Sequence, residues 1–228
     1  MCGRFTLTIT FEELVKRYAI EDQGTPFHRP RYNVSPMQQV PAIINDGSKN
    51  RLGELRWGLI PSWAKDDKFA GKTINARGET LLEKPSFKNL VYRKRCIIPA
   101  DSFFEWINVE GQKRPIRFLK KDNSIFSMAG LYDTWINPTD GAKMNTCTII
   151  TCTPNKLVSH VHDRMPVILK KEDEQKWLQR NEVNVKDLLR LLMPFPTEEM
   201  LAYPVSTLVG NVKNEGPECI ERINVTLK

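Results

Sequence analysis

The sequence predicts an α+β fold: a single domain of curved, mostly antiparallel β-sheet with flanking helices. Three observations predict it. Between residues 95 and 151 five strand-like runs follow one another, divided by turn signals at Glu110-Gly111, Asp122-Asn123 and Asp140-Gly141. The regular βαβ alternation that would demand a parallel sheet is missing. The helical patterns are few and short, and lie outside that run. A chain of 228 residues can bury a sizeable core, and no composition break divides it, so residues 1–228 are read as one domain.

Taken in order, the first helix starts at Thr10, which forms a capping box with Glu13 and places Phe11, Leu14, Val15 and Tyr18 on one face. Gln39 to Ile44 reads as a strand, Asp46-Gly47 as a tight turn, and Gly53 to Ile60 as a strand ending at Pro61. A β-meander is then expected, formed by Arg95 to Ile98, Ser102 to Ile107, Pro115 to Leu119, Ile125 to Trp135 and Asn145 to Thr151. Thr153-Pro154 reads as an N-cap with proline at the first helical position, opening a helix through about His160. Two further helices are expected over Lys171 to Gln179 and Val185 to Met193.

Composition narrows the function classes. Hydrophobic content of 40% and charged content of 27% are those of an ordinary globular chain and argue against disorder. There is no signal-peptide apolar core and no run near the roughly 18 apolar residues of a membrane span, so a cytoplasmic protein is expected. Thirty-four Lys plus Arg against 27 Asp plus Glu give a net charge of +7, which favours an anionic partner. The basic residues cluster at His28-Arg29-Pro30-Arg31, from Lys65 to Lys72, and at Tyr92-Arg93-Lys94-Arg95, with Trp57, Trp63, Trp106 and Trp135 interleaved. Cations that track phosphates beside aromatic platforms for bases suit single-stranded nucleic acid. The five cysteines are odd in number and contain no C-x-x-C pair, which supports neither a disulfide framework nor a zinc site.

One residue stands out chemically. Cys2 has a small side chain, so Met1 is expected to be trimmed, leaving a residue with both a free α-amine and a thiol. With ordinary pKa values of about 8 and about 8.5, both groups would be usable near neutral pH. Such a 1,2-aminothiol condenses with an aldehyde to an imine and then closes a thiazolidine ring; it can also attack an acyl carbon. Taken by itself, Cys2 reads more simply as a small buried hydrophobe. Glu105 lies within Phe103-Phe104-Glu105-Trp106, and facing the apolar side would raise its pKa and make it a proton shuttle. On pattern alone it points to solvent. His162 adjoins Asp163 and Arg164 and can exchange protons at physiological pH, whereas its plain reading is a surface-loop histidine. Asn75 can orient an amine or a sugar beside a phosphate-holding Arg77, or can simply form a turn.

Ordered motifs decide between these readings. Met1-Cys2-Gly3-Arg4-Phe5, Arg31-Tyr32-Asn33-Val34-Ser35-Pro36, Ile74-Asn75-Ala76-Arg77-Gly78-Glu79-Thr80, Phe103 to Trp106 and His162-Asp163-Arg164-Met165-Pro166 occur in sequence, followed by Pro204-Val205-Ser206 and Val209 to Asn214. The chain resembles the SRAP family, SOS response-associated peptidase domain proteins that cross-link to abasic sites in single-stranded DNA. The resemblance implies a barrel-like core and a mature Cys2 that forms a thiazolidine with the C1′ aldehyde of an abasic site. It further implies that Glu105 handles protons during imine formation, that His162 opens the sugar ring and serves reversal, and that Asn75 belongs to the active site. Arg4, Asn33, Trp63, Arg77, Arg164 and Lys213 are the implied DNA contacts. A single aromatic in Trp63-Ala64-Lys65 stands where some relatives carry two. No metal or organic cofactor is implied, and the expected partner of this monomer is single-stranded DNA containing abasic sites, without a membrane. Two rival readings remain: a cysteine N-terminal-nucleophile peptidase or self-processing hydrolase, and a plain single-strand binding module with a structural Cys2.

Overall fold

The computed structural model describes residues 2–21, 24–180 and 184–224, so the state of Met1 lies outside the described residues. The strands are β1 (Phe5–Leu7), β2 (Arg31–Val34), β3 (Gln39–Asn45), β4 (Asn50–Trp57), β5 (Asn75–Arg77), β6 (Arg95–Ala100), β7 (Ser102–Val109), β8 (Gln112–Lys120), β9 (Phe126–Ile136), β10 (Lys143–Cys152), β11 (Met165–Pro166), β12 (Ile168–Leu169) and β13 (Met200–Pro204). The helices are α1 (Phe11–Arg17), α2 (Leu90–Arg93), α3 (Lys156–Ser159), α4 (Lys171–Leu178) and α5 (Val185–Leu189).

Two sheets share these strands. In the first, β4 pairs β3, β3 pairs β6, β6 pairs β9, and β9 pairs β10. The ring closes because β10 also runs parallel to β4, at Thr146↔Arg56 and Cys147↔Trp57. Closure leaves these five strands without free edges, and Ile43, Ile97, Ile98, Ala129, Leu131 and Ile149 on them are all buried. The second sheet has the antiparallel order β13-β8-β7-β1-β2. Its Phe103 and Phe118 stack at 5.1 Å, and Phe5 on β1 meets Trp57 at 5.2 Å, so the two sheets share one core.

The architecture is the expected α+β domain with a barrel-like sheet, but the strands do not form one meander. Between Ala100 and Ser102 the chain leaves the barrel, the hairpin β7–β8 joins the second sheet, and β9 returns. Consecutive strands of similar pattern cannot reveal such a change of sheet. Strand β4 also stops at Trp57 instead of reaching Ile60. Gly58 adopts a φ of +133°, and a Cβ there would lie 2.9 Å from the Ala70 carbonyl, so only glycine turns the chain at that point. The Glu110-Gly111 turn fits its residues, with φ of 52° and 82° as a two-residue hairpin requires.

Among the helices, α1 carries the predicted capping box between Thr10 and Glu13. The cap of α3 is Asn155 in place of Thr153, its side chain accepting from the Val158 N–H at 3.0 Å, and α5 ends at Leu189, short of Met193. A longer run of apolar residues reads as helix by periodicity alone, although the segment after Leu189 proceeds through turns toward Pro194 and Pro196. No helix among the described residues is long and apolar enough to cross a membrane.

Candidate active site and nucleic-acid face

Strand β1 brings the N-terminal residues to β7. Phe5↔Phe103 and Thr6↔Ser102 set the register, and the Phe104 N–H donates to the Arg4 carbonyl at 2.9 Å, so continuing the pairing puts Gly3 opposite Glu105. Cys2 is wholly buried beside it. Burial, and then the negative charge of Glu105, push the thiol well above its ordinary value. This corrects the expectation of a partly ionised thiol near neutral pH, because a thiolate would lose its hydration there. Glu105 is itself 4% exposed and faces inward. Burial first, with the charge of Asp163 adding to it, raises its pKa to about 7.

A second pair of elements supplies the rest of the site. Along its last residues β10 exchanges its barrel neighbours for β5 and β11, giving the registers Ile149↔Asn75, Thr151↔Arg77 and Thr151↔Pro166. This exchange places Asn75 and the His162 loop on opposite edges of one strand. His162 Nε2 lies 3.8 Å from Glu105 Oε2, while Nδ1 accepts from the Arg164 main-chain N–H at 3.0 Å. Burial holds the imidazole pKa below its ordinary value, against the pull of Asp163, so the ring is neutral near pH 7. The neighbouring His160 is exposed at the end of α3. Asn75 is 8% exposed; its Nδ2 donates to the Ile74 carbonyl at 3.1 Å, and its buried Oδ1 has no protein partner among the described residues. A buried amide oxygen left open is suited to accept from a ligand.

The expected DNA contacts divide into exposed and internal residues. Arg77 and Lys213 are exposed, and Trp63 is 56% exposed, with its ring meeting the edge of Phe69 at 5.4 Å. Arg4 is partly covered: Nη1 donates to Asn33 Oδ1 at 2.7 Å and to the Val209 carbonyl, and the guanidinium lies 5.7 Å from the Trp106 ring. Asn33 is fully buried, its Nδ2 donating to the Asn211 and Asn214 carbonyls, so it shapes the loop bearing Lys213 from within. Arg164 is also internal, its guanidinium meeting both Glu79 oxygens at 2.7 and 2.8 Å.

The interleaved tryptophans require a correction. Trp57 and Trp135 are core residues whose indole N–H groups donate to the Ile74 and Ala64 carbonyls, and so cannot serve as base platforms; Trp106 is half-buried. The cluster at Tyr92 to Arg95 likewise loses Arg95, which donates to the Val91, Trp177 and Gln179 carbonyls and is pushed down to about 10 by burial and by Arg180. Among the described residues, no group of three or more His, Cys, Asp or Glu is placed to hold a metal ion.

The family model described as SOS response associated peptidase (SRAP) matches residues 1–212. The chain belongs to the SRAP family. It is 51% identical over 224 residues to the abasic site processing protein YoqW of Bacillus subtilis (strain 168), covering 97% of this chain and 99% of that protein. It is 34% identical over 270 residues to the abasic site processing protein HMCES of Xenopus tropicalis, covering all of this chain and 80% of that one. Among solved structures, the fold resembles that of a protein from Bacteroides thetaiotaomicron with a TM-score of 0.84 and 31% identity, covering 98% of this chain and 100% of that one.

In this SRAP chain the structure brings Cys2, Glu105 and His162 together, with Asn75 on the adjoining strand. Sequence reasoning gave no role to Glu79, though it lies inside a motif. It also passed over Asp101, which accepts from the side chains of Thr6 and Thr8 and from the Thr8 N–H, and so fixes β1. A carboxylate flanked by apolar strands was the available signal.

Proposed function

We propose that this SRAP protein captures abasic sites in single-stranded DNA by forming a thiazolidine on Cys2 after Met1 is removed. The observation that carries the reading is the meeting of Cys2 with Glu105, a carboxyl group whose pKa of about 7 lets it both give and take a proton at neutral pH. The names of the relatives, abasic site processing proteins, agree with it.

The abasic sugar must first open from its cyclic hemiacetal to the C1′ aldehyde, a proton transfer suited to the neutral His162. The α-amine of Cys2 attacks C1′, and the carbinolamine loses its hydroxyl as water when protonated Glu105 supplies a proton. The Cys2 sulfur then adds to the imine carbon. Ionised Glu105 takes the thiol proton, and the imine nitrogen ends as a ring amine. Aldehyde plus aminothiol therefore yield thiazolidine plus one water. Because burial keeps the thiol protonated, the amine acts first and the sulfur second, with its proton removed at the moment of attack. Peptidase chemistry through a free thiolate draws no support from such a thiol. Asn75 Oδ1 offers an acceptor to the sugar or the amine, while exposed Arg77, Lys213 and Trp63 supply phosphate and base contacts.

The test is a denaturing gel after incubation with an oligonucleotide containing one abasic site. Wild type should give a heat-stable shifted band, and Cys2→Ala should give only a band that borohydride must trap. Absence of the wild-type band, or an equally stable band from Cys2→Ala, would sink the reading.

A further inference from the structure

Arg164 is 8% exposed, and its guanidinium is held by partners within the protein. Nη1 and Nη2 donate to the two oxygens of Glu79 at 2.7 and 2.8 Å, and Nη2 also donates to the Thr151 carbonyl at 2.6 Å and approaches Thr151 Oγ1 at 3.3 Å. The residue after it, Met165, pairs with Cys152. Arg164 is therefore held through its side chain and through the strand that follows it, and the direction of its main-chain N–H is set.

That N–H points at His162 Nδ1, 3.0 Å away. Asp163 Oδ1 lies 3.0 Å from the same nitrogen. The two neighbours ask for opposite states. The Arg164 N–H needs a lone pair on Nδ1, whereas the Asp163 carboxylate needs a proton there. When Arg164 wins, the proton of the neutral ring sits on Nε2, the nitrogen 3.8 Å from Glu105. The Asp163 side chain is 81% exposed and water can satisfy it, whereas the guanidinium that anchors Arg164 is paired with the Glu79 carboxylate.

We propose that Glu79 is a positioning residue which, by clamping Arg164, keeps His162 in the Nε2–H tautomer facing Glu105 and the reacting sugar. The part concerning the sugar rests on the proposed cross-linking; the tautomer does not. Glu79 lies two residues beyond the end of β5, so one ion pair ties the strand carrying Asn75 to the loop carrying His162.

The experiment is a long-range ¹H–¹⁵N correlation spectrum of the histidine side chains, easily assigned because the chain holds only His28, His160 and His162. It is recorded on wild type, Glu79→Ala and Glu79→Gln, beside cross-linking rates and binding to an undamaged oligonucleotide. Wild type should show the Nε2–H form. Glu79→Ala should gain protonation at Nδ1 and cross-link more slowly by on the order of tenfold to hundredfold, with undamaged-DNA binding unchanged. Glu79→Gln keeps one acceptor and should lie between them; if Glu79→Ala does not fold, the same comparison is made on Glu79→Gln. A wild-type proton on Nδ1, or a wild-type tautomer in a folded Glu79 variant, would overturn the proposal. A Glu79-dependent tautomer in a protein that never cross-links would uphold the clamp and defeat the proposed function instead.

Discussion

Glu105 shows how a single residue acquires its chemistry from its surroundings. A carboxyl group among Phe103, Phe104 and the N-terminal strand loses most of the water that would stabilise its charge, and its pKa moves from 4.5 to about 7. Since the folded value lies above the unfolded one, the stability contribution of this group is fully present below about pH 4.5 and is lost as pH rises through 7. A difference of about 2.5 in pKa, at about 1.4 kcal/mol each, amounts to roughly 3 kcal/mol. Glu105→Gln should therefore gain stability relative to wild type between pH 5 and pH 8, read from urea midpoints; parallel pH curves would contradict this. The same variant should cross-link about 10²–10⁴-fold more slowly and lose the rate inflection near pH 7. This residue was legible only through the motif it belongs to, since the strand pattern alone points its side chain to solvent. The state of Cys2 was not. Burial was the plain reading of this cysteine, but nothing in Met1-Cys2-Gly3-Arg4-Phe5 tells that the thiol lies beside a carboxylate, since that neighbour comes from pairing with residues about one hundred positions away.

The element that matters most is β1, only three residues long, too short for any periodicity to reveal it. Its position is maintained by polar groups in the core. Asp101 accepts from Thr6 and Thr8 and lies 3.6 Å from Arg117, and Arg117 donates to Ser102 at 2.8 Å and to the Tyr203 hydroxyl at 2.6 Å. A slip of two residues would keep the side chains on the correct face yet carry Cys2 about 7 Å along β7, away from Glu105. The buried network makes that slip costly, because Asp101 and Arg117 would lose partners they cannot replace with water. Asp101→Ala should destabilise the protein by about 3–5 kcal/mol in urea denaturation, the loss expected when one member of a buried ion pair is removed. A loss below about 1 kcal/mol would show that the network is incidental. Elsewhere, local chemistry made elements readable: the box of Thr10 and Glu13 started α1, and Glu110-Gly111 turned β7 into β8. The cap at Asn155 and the end of β4 at Gly58 depended on tertiary neighbours, the Phe195 and Ala70 carbonyls, which no local pattern contains.

At the scale of the molecule, the long strand β10 joins the two halves of the design. Its first residues close the barrel against β9 and β4, and its last residues seat β5 and β11, so that Asn75 and His162 are positioned by the same rigid element. The motifs revealed which residues belong together, while the parallel pairings that assemble them were hidden, since closure depends on contacts between segments far apart in sequence. Charge was legible as a total and less so as a surface: Arg95 and Arg164 turned inward, while Arg77, Lys213 and Trp63 remain outside.

The proposed capture depends above all on the amine and the thiol of Cys2 acting on one aldehyde carbon. The most direct test is intact mass of the protein after incubation with an abasic oligonucleotide, for the chain beginning at Cys2 and for a form that keeps Met1. The first should gain the oligonucleotide mass less one water and should not take up two further hydrogens from borohydride, as a closed ring requires; the Met1-retaining form should remain unmodified. A stable adduct on the Met1-retaining chain, or an adduct on the Cys2 chain that borohydride reduces in full, would contradict it.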